Sequence, residues 1–226
     1  MENNNNSIIS VKDITKIYYS GNIQTRALDC ISIDVSVGEF VMITGRNGSG
    51  KSTLMHQLAL LDKPTGGTII INEQDVTHLP ERKRADLRLR ELGYVFQEYA
   101  LIAELTALEN VMLSAMMLEK ASLAKKKAID LLNKVGLKGK YKRLPSQLSG
   151  GEQQKVAIAR SLINHPKIIF ADEPTANLDT VASKEVLDIF KSLNELEQIT
   201  IVMVTHEPEE LHYATRRIQL SDGRLL

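Results

Sequence analysis

A chain of 226 residues and 25.2 kDa has room for one large domain or two small ones, and it can bury a core without covalent staples. Lys+Arg and Asp+Glu number 28 each, so the formal net charge is zero and a global cationic field for nucleic acid is excluded, though a local patch is not. The one cysteine, Cys30, excludes an intrachain disulfide framework or a cysteine-rich zinc site and fits a reducing compartment.

No stretch reaches the ~20 apolar residues that cross a bilayer. The start, Met-Glu-Asn-Asn-Asn-Asn, has neither a basic region nor an apolar signal core. Residues 1–7 read as a frayed polar tail, and 8–19 as a strand region. Ile31 to Val37 alternates apolar and polar, the period of a half-buried strand. Phe40-Val41-Met42-Ile43 is continuous and apolar, as in a strand buried on both faces. A glycine-rich stretch then leads into a helix expected over 52–61. A turn at 64–67 precedes a strand run at 69–71.

From about Pro80 to Ile163 helical patterns dominate. Thr106-x-x-Glu109 is a capping box opening a helix with Leu108, Val111, Met112 and Ala115 on one face. Ala124, Ala128, Leu131, Leu132 and Val135 mark a second helix that Gly136 stops. The end of the chain alternates again. Runs at 168–171 and 200–204 read as buried strands, with a helix at about 181–196 between them. This pattern predicts an α/β core built from both ends of the chain, a parallel sheet with helices on its faces, and a helical insertion between.

Gly45-Arg46-Asn47-Gly48-Ser49-Gly50-Lys51-Ser52 fits G-x-x-x-x-G-K-[ST], with a strand before it and a helix after. Glycines let successive backbone N–H groups converge on phosphate oxygens, and the helix N-terminus adds unsatisfied donors. Lys51 would reach the β and γ phosphates, and the Ser52 hydroxyl would ligate Mg²⁺. Ile168 to Ala171 is an apolar strand that ends in Asp172-Glu173. Ligands of open parallel sheets sit at the carboxyl ends of strands. Asp172 is thereby placed to hold Mg²⁺, and Glu173 to accept a proton from the attacking water or to orient it. Leu148-Ser149-Gly150-Gly151-Glu152 is a capped helix start and a second anion-binding candidate.

Together these motifs resemble the ATP-binding cassette (ABC) ATPases. The phosphate loop, Gln97 in Tyr94-Val95-Phe96-Gln97, Leu-Ser-Gly-Gly-Glu at 148–152, Asp172-Glu173, Asn177-Leu178-Asp179 and Thr205-His206 stand in the family's order from about residue 8 to 226. The resemblance implies a P-loop NTPase (RecA-like) α/β fold with a mostly parallel sheet, an N-terminal antiparallel β region and an inserted helical subdomain. One ABC ATPase domain is expected, with its core at about 8–96 and 164–226 and the helical part at 97–163.

ATP and Mg²⁺ are the implied cofactors. Gly45, Arg46, Asn47, Gly48, Ser49, Gly50, Lys51, Ser52 and Thr53 would hold the phosphates. Tyr18 would stack on adenine, with the adjacent Tyr19 as the alternative. Gln97 would touch Mg²⁺ or the attacking water, joining Ser52 and Asp172 as metal ligands. His206 would contact the γ-phosphate, completing a catalytic set of Glu173, His206, Gln97 and Lys51. Ser149, Gly150, Gly151 and Glu152 would bind the nucleotide of a second copy, with Asp179 across the same interface, which implies a head-to-tail homodimer.

Phrases at 61–67, 105–111 and 148–160 are closest to the macrolide-export (MacB-like) and lipoprotein-release (LolD-like) subgroup, whose members serve a separate or fused membrane subunit. The chain ends at Leu226 without a membrane domain, which suits a peripheral subunit at the cytoplasmic face of the inner or plasma membrane. Export, lipoprotein release and mechanotransmission are the implied outputs. Signalling to cell-wall enzymes and a soluble non-transport role are the alternatives. Asn47, Glu152, Lys155, Ala176 and Glu207 depart from the commonest family residues without removing a catalytic group. Residues 120–143 hold nine Lys/Arg and one acid, Asp130. Without interleaved aromatics this stretch reads as a solvated face, and no nucleic-acid partner is expected. Met112, Met116 and Met117 fit a docking surface or core packing equally.

Overall fold

The computed structural model describes residues 6–226, so most of the polar tail lies outside the described residues. Strand β1 (Ser7–Ser20) already includes Ser7, which pairs with Ser36 of β2 (Ile23–Ser36). The two strands form a hairpin around Gly21–Asn22, with Ser20 opposite Ile23. The first half of β2, Ile23 to Cys30, was not expected as strand. Its outer residues are exposed, so it lacks the alternation that marks 31–36.

The remaining elements are β3 (Phe40–Gly45), α1 (Lys51–Leu58), β4 (Gly66–Ile71), β5 (Gln74–Asp75), α2 (Glu81–Glu91), β6 (Leu92–Val95), α3 (Ala107–Met112), α4 (Ala121–Lys134), α5 (Gly150–Leu162), β7 (Ile168–Asp172), α6 (Thr180–Glu197), β8 (Thr200–Val204), β9 (Arg216–Ser221) and β10 (Arg224–Leu225). Short 3-10 turns occupy Ala115–Met117, Pro145–Gln147 and Pro208–Tyr213. One sheet is antiparallel, in the order β2-β1-β4-β5. The other runs β10-β9-β3-β8-β7-β6, parallel except for β10.

Strand periodicity divides the core in two. On β3, Phe40 and Met42 face one side, and Val41 and Ile43 the other. On β8 the same split separates Ile201 and Met203 from Val202 and Val204. One core lies between the two sheets and includes α1 through Leu54, Met55 and Leu58. The other joins α6, α5 and the helices α3 and α4, with Val111, Ala128, Leu132, Ile158 and Phe190 fully buried.

One omission and one boundary need correction. Helices α2 to α5 do dominate Pro80 to Ile163, but the strand β6, which the sequence reading leaves unassigned, interrupts them and pairs with β7 at the edge of the parallel sheet. Four residues are too few to show a period against their charged helical neighbours. The helix opened by Thr106 has its capping box, but it ends at Met112 and continues as a 3-10 turn. In the basic stretch, Lys127, Lys134 and Lys140 pair with Glu119, Glu197 and Glu152, which lowers the net field of that surface. No helix among the described residues is long and apolar enough to cross a membrane.

Candidate functional site

Strand β3 is buried from Phe40 to Thr44 and delivers Gly45 to the carboxyl edge of the sheet. The chain then turns through 46–50 into α1. Gly50 sits at φ +100°, and a Cβ there would lie 2.5 Å from the Ala27 carbonyl oxygen, so the turn needs glycine. The loop is braced from outside. The Gly223 N–H donates to the Ser49 carbonyl (3.0 Å), and the Asp29 N–H donates to the Gly223 carbonyl (2.8 Å). Lys51 is 6% exposed. Its Nζ donates to the carbonyls of Gly45 (3.0 Å) and Arg46 (3.2 Å). A buried ammonium bonded to neutral carbonyls is an anion site by its chemistry, because its charge is not matched by a carboxylate hydrogen bond.

Parallel pairing sets β7 beside β8, with Asp172 opposite Val204, so the two strand ends emerge together. Asp172 Oδ1 is buried and has no hydrogen-bond partner. Burial pushes this carboxyl above its usual range and Glu173 adds to the rise, while His56, the Tyr94 hydroxyl and Lys51 oppose it. Glu173 holds a left-handed backbone, φ +44°, and its N–H donates to the Val204 carbonyl (3.1 Å). Such strain in a non-glycine residue marks a position fixed by its surroundings. His206 Nδ1 lies 3.4 Å from Glu173 Oε2, and its Nε2 lies 3.0 Å from Glu207 Oε1. The histidine is therefore held between two carboxylates.

Among the described residues no group of three or more His, Cys, Asp or Glu side chains could hold a metal. The orphaned Asp172 oxygen and the exposed hydroxyl of Ser52 are hard oxygen donors. Ser52 adjoins Lys51, whose charge acts on Asp172. This donor set fits Mg²⁺, which takes few protein ligands and leaves positions to substrate phosphates.

An elevated carboxyl pKa stabilises the fold only at low pH, and that stabilisation is lost as pH rises through the folded value. At neutral pH the Asp172 charge is thus a cost. Asp172→Asn is expected to raise the melting temperature of the nucleotide-free chain at neutral pH and to leave it little changed at a pH low enough to protonate the wild-type carboxyl. Differential scanning fluorimetry at both pH values checks this, and a lowered midpoint at neutral pH contradicts it.

The Tyr18 hydroxyl donates to Asp62 Oδ2 (3.1 Å). Lys16 Nζ (2.8 Å) and Gln57 Nε2 (3.0 Å) donate to the same carboxylate, and Lys16 Nζ sits 4.9 Å from the Tyr18 ring centre. Burial raises Asp62, but the bonds from Lys16, the Lys63 N–H and Tyr18 outweigh it and hold the carboxyl below its usual range. Burial also pushes the Tyr18 hydroxyl up, opposed by nearby Thr53 and reinforced by Asp62. Tyr18 is anchored to Asp62, four residues beyond the end of α1, whereas Tyr19 is 70% exposed. Nothing local in the sequence marked Asp62 as that anchor. Gln97 follows β6, whose Val95 lies opposite Ala171. Its side chain is exposed, and its carbonyl accepts from Asn177 Nδ2 (3.2 Å).

Ser149 caps α5 by accepting from the Glu152 N–H (3.3 Å), and Glu152 Oε2 accepts from the Ser149 N–H (3.0 Å). The Lys140 ammonium, which is paired with Glu152, holds that carboxyl below its usual range, helped by the Ser149 N–H. A Cβ on Gly151 would lie 2.9 Å from Ala182 Cβ, so the starts of α5 and α6 are in close contact. Asp179 caps α6 by accepting from the Ala182 N–H (2.8 Å). The structure thus forms two groups. Lys51, Asp172, Glu173 and His206 gather at the strand ends, Gln97 follows the neighbouring β6, and Tyr18 is tied to Asp62 beyond α1. Ser149–Glu152 and Asp179 form the other group, whose contacts run to Tyr99, Lys140 and Leu178 and not to the phosphate loop.

The family model for ABC transporter matches residues 28–176. An ABC transporter ATP-binding protein of Methanocaldococcus jannaschii is 49% identical over 97% of this chain and 98% of its own length. The lipoprotein-releasing system ATP-binding protein LolD of Rickettsia bellii is 43% identical, with 97% and 98% covered. The macrolide export ATP-binding/permease protein MacB of Syntrophobacter fumaroxidans is 46% identical over 96% of this chain, which spans 31% of that longer protein. Among solved structures, the dimeric post-hydrolysis state of the ATP-binding cassette MJ0796, bound to ADP and Pi, superposes with a TM-score of 0.90 at 38% identity, covering 96% of each chain. Fold, motifs and relatives agree that this chain belongs to the ABC transporter family, as an ATP-binding subunit with the P-loop NTPase fold.

Proposed function

We propose that the chain binds and hydrolyses Mg-ATP between two copies of itself and uses that cycle to drive an integral membrane subunit from the cytoplasmic face. The separation of the two residue groups carries this reading. Ser149, Gly150, Gly151 and Asp179 are exposed or half-buried helix-start residues whose hydrogen bonds among the described residues do not run to the phosphate loop, so a head-to-tail partner is what would let them reach a bound nucleotide. The MJ0796 cassette, which is dimeric and bound to ADP and Pi, supports a dimer of this chain.

In this reading Tyr18 stacks on the base, and Gly45 to Thr53 cradle the phosphates with Lys51 as their cation. Ser52, Asp172 and Gln97 would hold Mg²⁺, which supplies charge neutralisation at the phosphates when bound. Glu173 takes the proton of the attacking water or orients it, and His206 contacts the γ-phosphate end. The helical part at 97–163 would act as a subdomain of one domain, carrying Ser149–Glu152 toward the partner copy.

A cleft of about 870 Å³ supports the membrane partner. It is lined by Leu61, Leu89, Tyr94, Met117, Ile163 and Phe170, so it lies where α2 and β6 meet the 115–117 turn. Met117 is 74% exposed and Met116 48%, while Met112 packs on the core, which leaves two adaptable side chains for an incoming helix. Mild-detergent capture of the tagged chain from native membranes, with mass spectrometry of what is retained, tests the partner. A subunit with a large extracytoplasmic domain is the expected product. Recovery of only soluble proteins or nucleic acid contradicts the proposal.

A further inference from the structure

Glu210 lies in the Pro208–Tyr213 turn and is 6% exposed. Buried carboxylates are costly unless every oxygen is matched. Here each oxygen accepts one hydroxyl. Thr175 Oγ1 donates to Glu210 Oε1 (2.6 Å), and Thr205 Oγ1 donates to Glu210 Oε2 (2.6 Å). Both threonines are themselves buried, at 5% and 2%. Thr175 lies two residues after Glu173, and Thr205 immediately precedes His206. The Thr205 hydroxyl also accepts the Glu207 N–H (3.0 Å), and the Thr205 N–H donates to the Ile43 carbonyl (3.2 Å) at the end of β3. One carboxylate therefore ties together the loops that present Glu173 and His206 and fastens them next to the strand that feeds the phosphate loop.

We propose that Glu210 is a positioning residue for hydrolysis: its two short hydrogen bonds lock the Thr175 and Thr205 loops in register, and this fixes the 3.4 Å approach of His206 to Glu173. The inference rests on the reading of Glu173 and His206 as groups that act on ATP. Charge-assisted bonds of this length are stronger than neutral ones and define a single geometry. Glu210→Gln keeps the shape but offers one acceptor oxygen where two are needed. Glu210→Asp is shorter by one methylene and reaches one threonine only. Neither touches nucleotide, so the loss falls on turnover and not on binding.

The test is steady-state ATP hydrolysis and ATP affinity for wild type, Glu210→Gln, Glu210→Asp and a triple variant carrying Glu210→Met, Thr175→Val and Thr205→Val. The triple variant removes the three buried side-chain polar groups together, and the Glu207 N–H that loses the Thr205 hydroxyl belongs to an exposed residue within reach of water, which protects folding. Expected are a kcat at least about 10-fold lower in all three variants with KM and Kd for ATP within about 2-fold of wild type. A triple variant with wild-type kcat overturns the proposal, as does an equal change in kcat and ATP affinity. Wild type that binds but does not hydrolyse ATP overturns the functional reading beneath it, so the two failures are distinguishable.

Discussion

Glu173→Gln is expected to lower kcat for ATP hydrolysis by about 10²–10⁴-fold, the range that general-base catalysis supplies, while leaving ATP binding intact. The substitution removes the proton acceptor but keeps the side-chain shape in a position whose backbone is already constrained at φ +44°. His206 loses the carboxylate beside its Nδ1, so the pair changes together. Since opening of the ATP-bound dimer depends on hydrolysis in this account, the variant accumulates as a dimer with Mg-ATP. Light scattering reads this as a doubling of the 25.2 kDa mass. A monomer that turns over normally contradicts the role given to Glu173.

Lys51→Ala is expected to act earlier, at binding. The wild-type ammonium is buried and committed to two loop carbonyls, so it is aimed before any nucleotide arrives. Hydrogen bonds to charged groups are worth about 1.5–3 kcal/mol each, so losing two phosphate contacts raises the Kd for ATP by roughly 10²-fold or more. Titration with a fluorescent ATP analogue checks this. A Kd within a few-fold of wild type shows that the lysine is a loop brace only.

The legibility of this chain follows the range of its interactions. Phe40 to Ile43 announces a doubly buried strand because both faces of β3 meet apolar cores. The phosphate loop is legible because glycine spacing and Lys51 are local. Thr106 with Glu109 and Ser149 with Glu152 are legible for the same reason, since a capping box closes within one helical turn. What is not legible depends on partners distant in sequence. β6 is strand because β7, more than seventy residues later, pairs with it. The Asp62 anchor of Tyr18 spans 44 positions. Glu210 looks like one of several surface acids in Glu207-Pro208-Glu209-Glu210, and only the fold shows it buried against Thr175, 35 positions away.

A hydrolytic site shared between two chains predicts that two inactive variants, damaged on opposite sides of it, complement each other. Lys51→Ala lacks a working phosphate loop, and Gly151→Asp blocks the α5 start with bulk and negative charge, so each variant alone is expected to be inactive. In a head-to-tail heterodimer both defects fall in one site, and the second site is intact. Mixing equal amounts is therefore expected to restore ATP hydrolysis to about a quarter of the wild-type rate, because half of the random dimers carry one good site of two. A mixture that stays as inactive as its components would contradict the shared site, as would a Gly151→Asp chain that hydrolyses ATP normally by itself.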